Sequence, residues 1–98
     1  MEVEINYIPT EFSLEQNYPN PFNPETKIKY VIASGAKQSV SLKIFDVLGN
    51  EVATLVNEEK EPGIYEVEWN GKEFASGVYY YTLTAGSFVQ TKKLMLLK

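Results

Sequence analysis

The chain has no cysteine, no histidine and no arginine. Without thiols or imidazoles it can hold no Cys nucleophile, no Ser-His-Asp triad and no thiolate or imidazole zinc site. It can form no disulfide either, so stability must come from packing and sheet hydrogen bonds. The missing cysteines do not choose between redox compartments. A net charge of −4 and the absence of arginine argue against nucleic acid, where basic patches and guanidinium forks dominate. No apolar run approaches the ~20 residues that a spanning helix needs. The opening Met1-Glu2-Val3-Glu4 has neither a basic nor an apolar region of the kind a signal peptide needs. If the protein is exported, its signal is expected upstream, with Met1 an added start and a native product much larger than these residues. No helical periodicity, internal repeat or low-complexity tract is present.

What is present alternates. The 98 residues, 44% hydrophobic and 22% charged, suit one folded domain with a single modest core. Ile28, Tyr30 and Ile32 alternate with Lys27, Lys29 and Val31, and Val40, Leu42 and Ile44 alternate with Ser39, Ser41 and Lys43. Both stretches read as half-buried strands. Gly35-Ala36-Lys37-Gln38 reads as a turn between them. Asp46-Val47-Leu48-Gly49-Asn50 reads as a hairpin loop in which the Asp46 carboxylate binds backbone amides and Gly49 supplies a positive φ. A short strand over 51–56 and an acidic loop over 58–63 are expected next. Tyr65, Val67 and Trp69 then share parity against Glu66 and Glu68, which points Trp69 inward. Asn70-Gly71 and Gly86-Ser87 are turn dipeptides flanking a long strand over 78–84. Residues 88–97 pair back along that strand, and residues 2–5 supply an edge strand. The expectation is an all-β, immunoglobulin-like antiparallel sandwich of about seven strands, without a disulfide.

Few residues suggest chemistry. Twelve of the thirteen acids are glutamates. Glu66 and Glu68 stand about 7 Å apart on one strand face, superficially the spacing of an inverting glycosidase pair, but nothing around them suggests a pocket or a raised pKa. Asp46 with Asn50, or Asn70 with Glu73, offers oxygen atoms for calcium, yet the six to eight ligands of that ion are not at hand. Turn chemistry accounts for these residues. No catalytic residue, metal ligand or cofactor is assigned, and the chain is expected not to be an enzyme. In Tyr79-Tyr80-Tyr81 the outer two share a face. They read as core and cross-strand packing, with a carbohydrate-stacking or adhesive platform as the alternative should Tyr79, Tyr81 or Trp69 lie exposed in a row.

The most specific segment is Asn17-Tyr18-Pro19-Asn20-Pro21-Phe22-Asn23-Pro24. Three prolines within six residues remove N–H donors and fix φ, so no helix or central strand runs there. The segment reads as rigid and docked, with Tyr18 and Phe22 as packing anchors. With Leu14, Glu15 and Gln16 before it and Thr26, Ile28 and Tyr30 after it, it resembles the opening of the type A C-terminal sorting domain of type IX secretion. The resemblance continues through Ile44-Phe45-Asp46-Val47-Leu48-Gly49, Pro62-Gly63-Ile64-Tyr65, Trp69-Asn70-Gly71, Ala75-Ser76-Gly77-Val78-Tyr79 and Lys92-Lys93-Leu94-Met95-Leu96-Leu97-Lys98. It covers roughly residues 12–98 of a single domain spanning 1–98, with 1–11 an edge strand or a linker to an upstream cargo.

The resemblance implies a secretion signal in folded form. It implies an upstream cargo domain, export by way of the periplasm of a Gram-negative bacterium, and recognition by the type IX outer-membrane translocon. It also implies a surface sortase that removes the domain upstream of Phe12, leaving the cargo released or anchored to lipopolysaccharide at the cell surface. Sorting recognition would fall on Gly63, Tyr65, Gly77 and Tyr79 of the Gly-x-Tyr repeats, and on Lys92, Lys93, Leu94, Leu96 and Lys98. The repeats read equally as strand-start requirements. The last stretch, apolar on both faces, reads either as a central strand or as one that a partner reads by strand addition. A sorting domain stands last in its polypeptide, as expected here from the basic–apolar end. The remaining alternative is a structural spacer similar to the sandwich domain of flagellar hook-capping proteins.

Overall fold

The computed structural model describes residues 9–33, 35 and 37–98, and all regular structure among them is strand. The elements are β1 (Ser13–Leu14), β2 (Glu25–Ile32), β3 (Gln38–Phe45), β4 (Glu51–Lys60), β5 (Gly63–Asn70), β6 (Gly77–Ala85) and β7 (Phe88–Leu96). They form a three-stranded sheet in the order β1-β2-β5 and a four-stranded sheet in the order β4-β3-β6-β7. Every ladder is antiparallel. The result is a disulfide-free sandwich compatible with the immunoglobulin-like class.

Alternation places the core. Ile28, Tyr30 and Ile32 of β2 face Val40, Leu42 and Ile44 of β3, with Tyr81 and Leu83 of β6 and Leu94 and Leu96 of β7 completing the filling. Each such side chain, fully buried, contributes about 1.5–3 kcal/mol. Trp69 points inward as expected and meets Phe22, Phe74 and Tyr79 at ring-centroid distances of 5.6, 5.4 and 5.6 Å. The Asp46 loop also forms as read. Asp46 Oδ1 accepts from the amides of Leu48 and Asn50, both at 2.9 Å, and Gly49 has φ +86°. These donors, the Asn50 amide first, hold the Asp46 carboxyl below its usual range.

Three expectations need correction. The acidic stretch 58–60 is not loop but the end of β4, since β3 pairs with it as far as Gln38↔Lys60. The strand lies at a sheet edge, where charged side chains are tolerated and discourage edge-to-edge pairing. Lys60 bonds Glu58 at 2.6 Å and sits 5.0 Å from the centre of the Tyr65 ring. Second, β1 was not anticipated; it is only two residues long and pairs with Val31 and Tyr30. Third, β7 is not a central strand but the outermost strand of its sheet. The expected edge strand at 2–5 lies outside the described residues, as does Ala36 of the turn at 35–38.

Candidate functional site

The proline segment explains how an apolar strand can lie at an edge. After β1 the chain stays on the three-stranded sheet, where Tyr18 and Lys27 exchange both backbone hydrogen bonds at 2.9 Å. It then crosses the open side of the sandwich to β7. Phe22 N–H donates to the Met95 carbonyl (3.0 Å), and Leu97 N–H donates to the Phe22 carbonyl (2.9 Å). Met95 N–H donates to Asn20 Oδ1 (3.0 Å), and Gln16 Nε2 donates to the Lys93 carbonyl (2.7 Å). Residues 15–24 thus form a strap over the outward backbone groups of β7 from Lys93 to Leu97. Prolines suit a crossing of this kind because each removes one donor that would otherwise need a partner.

The strap is pinned from beneath. Tyr81 O–H donates to the Glu15 carbonyl (2.7 Å), and its oxygen accepts from Asn17 N–H (2.8 Å). Asn17 Nδ2 donates to Thr26 Oγ1 (2.9 Å) and to the Pro19 carbonyl (3.1 Å), while Thr26 O–H donates to that same carbonyl (2.9 Å). Among the described residues no buried side-chain polar atom lacks a partner, so the network is complete, as a buried one must be. Tyr81→Phe is expected to lower stability by about 1–3 kcal/mol, because it orphans a buried amide. Burial pushes the Tyr81 hydroxyl up to about 12 from 10.0, against the pull of the Asn17 amide. The folded state therefore holds this proton more tightly than the unfolded state. Its contribution is whole below pH ~10 and declines as pH rises toward ~12. Denaturation curves across that window should fall less steeply for Tyr81→Phe, and the latest component of the tyrosinate absorbance titration should vanish.

Several of the sequence-read positions come together here. Gly77 pairs with Leu96 and Tyr79 with Leu94, and both leucines are wholly buried. Lys92 is half-buried, Lys93 exposed, and Lys98 is tied to the 71–76 loop through Ser76 Oγ (3.0 Å) and the Lys72 carbonyl (2.6 Å). Gly71 closes the same corner: its N–H donates to the Pro24 carbonyl at 2.7 Å, and a Cβ there would stand 2.9 Å from Leu96. Gly63 and Tyr65 do not join this group; they lie on β5 in the other sheet, opposite Ile32 and Tyr30. The two Gly-x-Tyr repeats share one device. Tyr65 O–H donates to the Glu61 carbonyl (2.6 Å) and Tyr79 O–H to the Ala75 carbonyl (2.7 Å), each closing the loop before its strand. That is the logic of the tyrosine corner in sandwich folds.

Other readings are revised. Tyr18 is no packing anchor: it is 80% exposed, whereas Phe22 is 2% exposed. Between β1 and β2 the chain has no strand alternation, so parity could not say which aromatic turns inward. The platform of Tyr79, Tyr81 and Trp69 does not exist, since all three are buried in the core. Glu66 and Glu68 lie on the solvent face of β5, with Glu66 3.9 Å from Lys27. Asn70 Oδ1 caps the Lys72 amide at 2.8 Å. The strap's grip on β7 was not legible, though Asn20, an amide standing between two prolines, was a signal for it.

The fold and the strapped strand define a class: small, disulfide-free β-sandwich domains that present their last strand at a sheet edge. Residues 16–97 match the model of the secretion system C-terminal sorting domain. The chain belongs to that family, the sorting domains of type IX secretion. It is therefore a sorting signal of a secreted or cell-surface protein exported through the outer membrane, serving an upstream cargo and the type IX machinery. No curated protein and no solved structure matches it.

Proposed function

We propose that this domain is a non-catalytic export signal read as a folded surface, and that the surface is the strapped end of β7. The supporting observation is the set of strap bonds to Lys93, Met95 and Leu97, which, with the bonds from Lys98 to Ser76 and Lys72, hold Lys93, Leu97 and Lys98 on a rigid edge. In this reading the cargo enters the periplasm by its own signal, the outer-membrane translocon engages the β7 end, and a surface sortase then cuts the domain away. The chemistry belongs to the sortase, and this chain contributes recognition alone.

The test is a reporter with a signal peptide, fused to the domain in a host carrying type IX machinery. The expected result is reporter at the surface or in the medium, freed of the domain on immunoblot. The Lys93→Glu/Lys98→Glu variant should remain folded but stay in the periplasm. Retention of the unmodified fusion with the domain folded would overturn the sorting reading. Export of the double variant at the normal level would overturn the assignment to the β7 end.

A further inference from the structure

Tyr18 is left without a structural task, yet it is held firmly. Its backbone is bonded twice to Lys27, and its neighbours Asn17 and Pro19 belong to the buried network on Thr26 and Tyr81. The side chain rises from this base 80% exposed. A shallow cleft lies on either side of it over the solvent face of β2 and β5. One is about 320 Å³ and takes in Pro19, Glu25, Lys27 and Glu68. The other is about 280 Å³ and takes in Glu15, Gln16, Lys27, Lys29 and Glu66. Among the described residues, the side chains of Glu15, Glu68 and Lys29 make no hydrogen bond or ion pair within the protein.

We propose that this face is a binding site for a neutral oligosaccharide of all-equatorial pyranoses, laid across Tyr18 with a sugar unit in each cleft. The occupant follows from the lining. Both clefts carry carboxylate and ammonium groups, so a cationic peptide meets Lys27 and Lys29, and an anionic one meets the four glutamates. A sugar hydroxyl donates to a carboxylate and accepts from an ammonium at once, which matches a lining of mixed sign. An all-equatorial pyranose also presents a flat face of C–H bonds, the complement of an exposed aromatic ring. Preorganisation adds to this: the ring's backbone is already fixed, so binding orders little that was free. The site lies on the solvent face of β2 and β5 rather than on β7, although Gln16 lines one cleft and also holds the Lys93 carbonyl. It is tested by sugar binding, independently of the sorting reading.

The test is an amide NMR titration of the 98-residue domain with cellopentaose and with penta-N-acetylchitopentaose, both uncharged. The expected result is saturable shifts confined to the neighbourhood of Tyr18, Lys27 and Glu68 with at least one of the two. Tyr18→Ala should weaken binding by about tenfold or more, equivalent to about 1.4 kcal/mol. Tyr18→Phe, which keeps the ring, should stay within about twofold of the wild type. Because Tyr18 is exposed, both variants should fold, and their unshifted core amides verify this. No saturable shift with either sugar, wild-type affinity in Tyr18→Ala, or shifts produced only by an oligolysine peptide would each overturn the proposal.

Discussion

Replacing Phe22 with alanine is expected to lower the unfolding free energy by about 3–5 kcal/mol. The ring is 2% exposed, packs 5.6 Å from Trp69 and lies beside Gly71, whose missing side chain leaves it room. Its removal opens a cavity between β7 and β5 and frees the middle of the strap. The two backbone bonds from Phe22 to Met95 and Leu97 then have no buried anchor between them. For a domain of this size each kcal/mol shifts the melting temperature by about 4–8 °C, so a fall of at least about 12 °C should accompany the change. Phe22→Leu, which keeps most of the volume, should recover much of the loss. Equilibrium denaturation of the three proteins checks this. A loss near zero in Phe22→Ala would mean that the strap is held by its hydrogen bonds alone.

Leu94→Ala is expected to cost about 2–5 kcal/mol, whereas Lys93→Ala, one residue earlier, should stay within about ±0.5 kcal/mol. Leu94 is wholly buried between Tyr79 and the facing sheet, while Lys93 is exposed and contributes only its carbonyl to the strap. Denaturation midpoints of the two variants measure the contrast directly. The comparison matters for any export experiment. Deleting residues 92–98 removes two wholly buried leucines and the strap's partners together, so loss of export after that deletion reports unfolding as readily as lost recognition. Exposed positions such as Lys93 and Lys98 separate the two, because the core does not depend on their side chains.

Much of the fold was readable wherever one side of a strand is wet. Strands β2 and β3 and the inward turn of Trp69 followed from period-two alternation, because a one-residue slip would expose the whole apolar set. The Asp46 loop and the Gly86-Ser87 turn followed from local chemistry that needs no distant partner. Reading failed where a segment's partner decides its state. Polar residues carry β4 through Lys60 because β3 offers it a ladder, and β1 exists only because β2 has a free edge beside it. Leu94 and Leu96 against Met95 and Leu97 resembled a central strand because a strap, rather than another strand, covers that edge.

By itself the sequence determined that this is a disulfide-free β protein, which residues face its core on the main strands, and the family to which it belongs. These rest on local alternation, turn chemistry and a residue-by-residue marker. Only the tertiary structure decided that β7 lies at an edge, that the proline segment covers it, and that Phe22 turns in while Tyr18 turns out. The contacts that settle those points join residues 64 to 77 positions apart, Asn17 to Tyr81 and Gln16 to Lys93. No local pattern records such a pairing, because each partner's alternation is satisfied equally well without it. What selects it is the need to cover one particular strand edge once both sheets have packed.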